Sequence, residues 1–437
     1  MLKKISSVAV LGAGTMGSGI AGLCAKNDCK VVLLDISLEA AKKGLDRIIN
    51  SRPPIFNPTD KTPSIILGTL NDDLDKISDC DWICEAIIED LQTKRHLIDR
   101  VESIRKNGSI VSSNTSGIPL RDIIKDMPMR LQQDMVITHF FNPVQVMRLL
   151  EIVPSEHADN DKIEILSKFC SEILGKGVVN AKDTVNFIGN RIGCFWMLSG
   201  LHKAHTAFGN GLTIEKIDAL MSTPFGLPIT GLYGLIDLIG LDVMDLVGKN
   251  LGANLPSGDI GLNFTELPKI EQKMLRSGQL GRKSGGGFYR VSKLEDSTKK
   301  KETFNLRSEQ WEDFAPPSLK SQHNSIEVLF SDDVEGEFCW DVMGSTINYA
   351  ADLIPEISDD IVNIDRAMRW GFAWSKGPFQ ILDSVKPINM IKRLEVNKQP
   401  IPKMLQLLIN SNSDSFYRKN ESEFLNQHGE YEPVPDE

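Results

Sequence analysis

The chain has 437 residues, enough for two or three domains with a core each. Its 49 basic and 59 acidic residues give a formal charge of −10, which argues against a broad phosphate-binding surface and so against nucleic acid as a partner. Seven cysteines, at 24, 29, 80, 84, 170, 194 and 339, are an odd number without Cys-x-x-Cys spacing. A reducing compartment, the cytoplasm, fits best, with neither a zinc site nor a disulfide framework. The opening Met1-Leu2-Lys3-Lys4 before the apolar run Val8 to Gly14 imitates a secretion signal, but the run is short and breaks into glycines, so a first β-strand is expected. No stretch has the length of a membrane-spanning helix, and membrane insertion is not expected.

Ile5 to Leu11 is a strand candidate that ends in Gly12-Ala13-Gly14-Thr15-Met16-Gly17, after which Ile20 to Ala25 continues as helix. Lys30 to Leu34 is a second valine-rich strand, closed by Asp35. A lone glycine motif is weak evidence; strand, glycine turn, helix, strand and acid in this order make a dinucleotide-binding fingerprint. The helix start offers N–H groups to a diphosphate. Asp35 can accept from both ribose hydroxyls and would repel a 2′-phosphate, so NAD is expected rather than NADP. Leu38 to Ile49 is a helix candidate, Arg52 to Pro63 a loop, Asp81 to Ile88 a buried strand, Leu91 to Ile104 a helix, and Ser109 to Ser112 a strand ending in Ser113-Asn114-Thr115-Ser116-Gly117. Small polar residues after such strands stand where open α/β sheets bind ligands.

The stretch from Thr138 to Glu151 holds a histidine, an Asn142-Pro143 turn, and a strand from Met147 to Val153. A strand, a turn and a second strand could fold Glu151 back onto His139 and make a general base of the pair. The plainer reading, a backbone-bonded buried histidine and a surface glutamate, is favoured on this stretch alone. Lys162 to Leu174 reads as helix, and Gly175 to Val179 returns to the sheet. A domain boundary is placed near Lys182-Asp183, giving an α/β Rossmann-type domain over 1–182. Phe187 to Phe208 is then a long apolar helix with Asn190-Arg191 near its start, a combination that is usually a satisfied polar pair but that could face a cleft.

The remainder is expected to be all-α, with two related helical units. Ile214 to Met221, Pro224 to Pro228 and Ile236 to Gly240 recur in degenerate form as Ile364 to Trp370, Gly377-Pro378-Phe379 and Gln380 to Asp383. The units are placed at 183–292 and 326–437, with a charged, Pro-Pro-containing linker over 293–325. Gly285 to Tyr289 closes the first unit, beside Arg282 and Lys283, which could meet phosphate or carboxylate.

The ordered set Gly12 to Gly17, Glu85-Ala86-Ile87-Ile88-Glu89, Ser113 to Ser116, His139-Phe140-Phe141-Asn142-Pro143, Glu151, Phe187 to Arg191 and Gly286-Gly287-Phe288-Tyr289 closely resembles the NAD-dependent 3-hydroxyacyl-CoA dehydrogenase family. The two helical units, the linker and the acidic tail from Glu430 to Glu437 resemble the dehydrogenase portion of long multifunctional fatty-acid β-oxidation enzymes, without their enoyl-CoA hydratase domain. The resemblance implies oxidation of (S)-3-hydroxyacyl-CoA to 3-ketoacyl-CoA, with His139 as general base oriented by Glu151. Ser116 and Asn190 would hydrogen-bond the reacting oxygen or the thioester. Beyond the glycine loop (Gly12, Gly14, Thr15, Met16, Gly17) and Asp35, it places Ser116, Glu89, Lys94, Asn142 and Lys283 near the cofactor. An acyl-CoA thioester is the implied substrate, and a hydratase or thiolase the implied partner. Short relatives dimerise through one helical unit, so a duplicated unit allows a monomer as well as a homodimer. Two departures stand out: Val185-Asn186 replaces the family's Pro-Gly, and the segment after Arg47 is short and proline-containing, which leaves the CoA contacts unassigned. The competing expectations are a dehydrogenase of a free hydroxy acid or sugar acid, and a non-catalytic scaffold that binds NAD or acyl-CoA.

Overall fold

The structure is a computed structural model that describes residues 4–57, 60, 64–293 and 298–436. Residues 1–3, 58, 59 and 61–63 of the expected signal-like start and Arg52 to Pro63 loop lie outside the described residues, as do 294–297 of the expected linker and 437 of the acidic tail. Two compact units divide between Phe187 and Ile188, the second running to Pro435.

The first unit is built on strands β1 (Ser7–Leu11), β2 (Lys30–Asp35), β3 (Ile65–Thr69), β4 (Trp82–Glu85), β5 (Ile110–Ser113), β6 (Met135–Phe140), β7 (Leu149–Pro154) and β8 (Gly177–Asn180). Their order in the sheet is β3-β2-β1-β4-β5-β6-β7-β8. Pairing is parallel from β3 to β6 and reverses at β6 with β7. The central strands are buried on both faces and mostly apolar, as parallel strands between helices are, and their polar residues Glu85, Thr138 and His139 fall toward the carboxyl ends. Helices α1 (Thr15–Lys26), α2 (Leu38–Ile49) and α3 (Leu91–Ile104) cross between the strands. The Ser37 hydroxyl accepts from Ala40 N–H to start α2, and Asp90 accepts from Thr93 N–H to start α3. Val8, Val10, Ile20, Leu33, Trp82, Phe140, Ile152 and Phe169 share one core.

The strand expected over Asp81 to Ile88 ends at Glu85: the Ala86 N–H still donates to the Leu11 carbonyl of β1, but the Ile87 N–H turns to the Glu85 side chain instead. Strand β3 has no counterpart in the sequence reading. The helix expected over Lys162 to Leu174 runs Asn160–Lys168 and continues as a π-helical turn, Phe169–Ile173.

The second unit is mostly helical, but it is not all-α. The end of the expected first helical unit and the expected linker together form an antiparallel sheet in the order β11-β10-β9, from β9 (Tyr289–Lys293), β10 (Lys299–Asn305) and β11 (Gln310–Asp313). The dense charge of that stretch is absorbed by pairs across the strands, Arg290 with Glu302 and Lys300 with Asp313. A matching small sheet near the end joins β12 (Tyr417–Arg418), β13 (Glu423–Leu425) and β14 (Tyr431–Pro433).

The internal repeat extends to the hydrogen bonds. In the first copy, the buried Asp218 accepts from the backbone N–H of Tyr233 and Gly234 and from the Tyr289 hydroxyl, while Asp237 accepts from the N–H of Phe288 and Tyr289. In the second copy, Asp365 accepts from Phe379 and Gln380, and Asp383 from Phe416 and Tyr417. The glycine before each clamp is fixed by the same close approach: a Cβ on Gly231 or Gly377 would lie 2.4 or 2.3 Å from the Cα of Asp218 or Asp365.

Candidate active site

The residues with chemistry in the first unit collect at the carboxyl ends of its parallel strands, where the order reverses from β1 to β4 and such folds bind their ligands. After β1, Gly12 has φ +104, and a Cβ there would lie 2.4 Å from the Ala86 carbonyl oxygen. A Cβ on Gly17 would lie 1.9 Å from the Gly12 oxygen, so strand and helix pack only through hydrogen. Beside Gly14 a Cβ would meet nothing within 4 Å. That opening faces the start of α1, which has no side-chain cap and no acid in its first turn. The N–H groups of Thr15 and Met16 belong to that start, and the cradle fits a diphosphate. Asp35, at the end of β2, accepts from Ala13 N–H at 2.5 Å and Ile36 N–H at 2.7 Å, which fixes its carboxylate against the glycine loop.

Beyond β4 and β5 a carboxylate network forms. Glu89 accepts from the Thr115 hydroxyl at 2.6 Å and from the N–H of Ser116 and Gly117 at 3.1 and 3.0 Å. Burial acts to raise its pKa, but the Lys94 ammonium and these hydrogen bonds outweigh it and hold the carboxyl below its ordinary range. Lys94 is fully buried and shared between Glu85 at 2.7 Å and Glu89 at 3.3 Å. It therefore stands behind Glu89 as a support. Glu85, which the motif contains but to which the sequence reading gave no role, is the hub: it also accepts from the Ser113 hydroxyl. Ser116 is exposed, and its hydroxyl makes no hydrogen bond among the described residues.

His139 and Glu151 are direct partners in the antiparallel register of β6 and β7, which puts both side chains on one face of the sheet. His139 Nδ1 lies 2.6 Å from Glu151 Oε2, and the side chains are 6% and 0% exposed. The surface glutamate of the plainer expectation is thus a fully buried one. A carboxylate only accepts, so Nδ1 carries the hydrogen of this bond and Nε2 keeps its lone pair. Phe141 meets the ring edge-on at 4.6 Å between centroids, and Phe187 lies at 5.5 Å. Asn142 is exposed at the start of the connecting loop, before a cis bond to Pro143.

One functional candidate escaped the sequence reading, although Gly175-Lys176-Gly177 was within it. Lys176 is buried, and its ammonium donates to the backbone carbonyls of Val144 and Met147 in the His139 to Glu151 connection. Burial pushes its pKa down to about 8. At the Val185-Asn186 departure, Asn186 has φ +59, a conformation that asparagine tolerates best after glycine, and Phe187 follows at φ +53.

Asn190 and Lys283 lie in the second unit. Asn190 is half-buried in the first turn of the helix Gly189–Gly209. Lys283, in the turn Arg282–Ser284, pairs with Asp242 at 2.6 Å.

The family model for the 3-hydroxyacyl-CoA dehydrogenase NAD binding domain matches residues 7–184, and that for the C-terminal domain of the same family matches residues 187–291. A probable 3-hydroxyacyl-CoA dehydrogenase of Deinococcus radiodurans is 38% identical over 299 residues, covering 67% of this chain and 84% of that one. The chain belongs to the 3-hydroxyacyl-CoA dehydrogenase family. A putative fatty acid oxidation complex trifunctional enzyme of Rickettsia felis is 34% identical over 98% of this chain and 59% of its own length. The chain thus spans about three fifths of the length of the longer relatives it matches. In fold, the 3-hydroxybutyryl-CoA dehydrogenase of Escherichia coli superposes with a TM-score of 0.67 at 22% identity, covering 90% of this chain and 94% of that one. The cofactor of the family's N-terminal domain is NAD, in keeping with the open cradle at Gly14. Among the described residues, no helix is long and apolar enough to cross a membrane.

Proposed function

We propose that the protein oxidises (S)-3-hydroxyacyl-CoA thioesters to 3-ketoacyl-CoA in fatty-acid β-oxidation, with NAD as the acceptor. The observation that carries the reading is the buried His139–Glu151 contact of 2.6 Å in the sheet whose first strand ends in the glycine loop. Bound NAD supplies the hydride acceptor. His139 Nε2 takes the proton of the substrate's 3-hydroxyl, and the Glu151 carboxylate holds the ring and stabilises the imidazolium that results. The Ser116 hydroxyl and the Asn190 amide orient the reacting oxygen or the thioester carbonyl. Asp35 receives the ribose hydroxyls, while Lys94 acts at one remove by holding Glu89 beside Ser116. Asn142 and Lys283 are assigned to the cofactor's neighbourhood.

Initial rates of NADH formation across a chain-length series of 3-hydroxyacyl-CoAs, run beside the matching free 3-hydroxy acids, test the substrate class. Turnover of the thioesters alone is expected. Equal turnover of the free acids would replace this reading with that of a hydroxy-acid dehydrogenase, and no turnover of either would favour a scaffold.

A further inference from the structure

The helix Gly189–Gly209 starts without a side-chain cap, since Ile188 at its N-cap provides none. The residue after Asn190 is held from three sides. Arg191 is 1% exposed; its Nε donates to the Tyr349 hydroxyl at 2.5 Å, and its Nη2 donates to Asp259 at 2.5 Å and to Glu356 at 3.0 Å. Tyr349 also reaches both Asp259 oxygens at 3.0 Å, and Asp259 accepts from Gly261 N–H at 2.7 Å. One turn further on, the Phe195 ring stacks on the Tyr349 ring at 4.2 Å between centroids. Tyr349 therefore grips two successive turns of the helix that carries Asn190.

For cohesion alone, a buried ion pair is a poor choice, because apolar packing of the same volume does as well or better. What the guanidinium fork adds is direction: three acceptors at fixed angles set both the height and the rotation of the first turn. Two of the groups, Tyr349 and Glu356, come from beyond residue 291, where the match to the family's C-terminal domain ends.

We propose that Arg191, Tyr349, Asp259 and Glu356 form a positioning clamp for Asn190, through which the second helical unit tunes the chemistry of the first. The inference rests on the reading of Asn190 as a substrate-orienting residue. A displacement of about 1 Å in such a residue costs up to roughly 100-fold in rate.

The test is a double-mutant cycle in the full chain with Tyr349→Phe and Asn190→Ala, repeated with Glu356→Gln because that side chain is partly exposed and its loss less disruptive to folding. Tyr349→Phe is expected to lower kcat by roughly ten-fold while the Kd for NAD stays within about two-fold, and to have no further effect in the Asn190→Ala background. Glu356→Gln is expected to act in the same direction and more weakly. An unchanged kcat in both clamp variants, or the same proportional loss with and without Asn190, would overturn the clamp and leave only a structural role. If Asn190→Ala itself turns over normally, the orienting role of Asn190 falls, and the clamp falls with it.

Discussion

Replacing Glu151 by glutamine removes a charge and little else. The amide keeps the size of the carboxylate and can still accept from His139 Nδ1, which it meets at 2.6 Å in the parent, so ring orientation should survive. What the proposed mechanism then loses is the stabilisation of the imidazolium that would form as the alcohol gives up its proton. Two unit charges about 4 Å apart interact by about 4 kcal/mol at an effective dielectric near 20, and both side chains are removed from water, at 6% and 0% exposure. At about 1.4 kcal/mol per factor of ten, kcat should fall roughly 10³-fold. The assay is stopped-flow formation of NADH from enzyme premixed with NAD, alongside a fluorescence titration of NADH binding, which the substitution should leave within about two-fold because no cradle residue is touched. A variant that folds, binds NADH and retains kcat within about ten-fold of the parent would refute the base assignment, since a neutral partner would then serve as well as a charged one.

Asp35→Ala should weaken NAD binding and relax discrimination against NADP, read as the ratio of the two kcat/KM values; an unchanged ratio would reject the ribose assignment. Lys176→Met removes the donor shared by the Val144 and Met147 carbonyls, and each buried polar group left without a partner costs on the order of 1–3 kcal/mol. A urea midpoint equal to that of the parent would show that the loop does not need the ammonium. Burial pushes Asp365 up to about 8 and Asp218 up to about 7, whereas an unfolded aspartate titrates near 3.9. These carboxyls are neutral in the fold at pH values where the unfolded chain has already lost the proton. Their contribution to stability is therefore present below about pH 4 and is lost as pH rises through the folded values of about 7 and 8. The stability of the parent relative to Asp365→Asn should accordingly decline between pH 5 and 8 in denaturant titrations, and parallel profiles would reject the shift.

What the sequence made legible were features fixed over short distances. Helices α2 and α3 have the bounds their apolar periodicity indicates, because a serine and an aspartate cap their starts and each buries one stripe. The glycine loop was equally plain, since Gly12 and Gly17 answer to close backbone approaches and Gly14 leaves open space, all within six residues. Strand β3 was not, being a half-exposed edge strand with a glycine in it. Nor was the sheet that runs into the expected linker: dense charge looks the same whether solvated or paired across strands, and only the register of Arg290 against Glu302 decides.

The candidate site divides along the same line. His139 and Glu151 are twelve positions apart, a separation that gives no sign of contact. Contact follows because β6 and β7 pair antiparallel with these two residues opposite, and a slip of one residue would turn Glu151 to the other face of the sheet. The register is thus the physical cause of the pair, and whatever holds the connection between the strands holds the two side chains together. Lys176 bonds that connection from a position beyond β7, and Arg191 meets Tyr349 across 158 residues. Neither partner can be found by spacing or periodicity. Both are cations removed from water, and a buried cation must find acceptors wherever the fold supplies them. A lysine or arginine within an otherwise apolar segment was the one trace of these contacts in the chain, and it marks where to look for a partner without naming it.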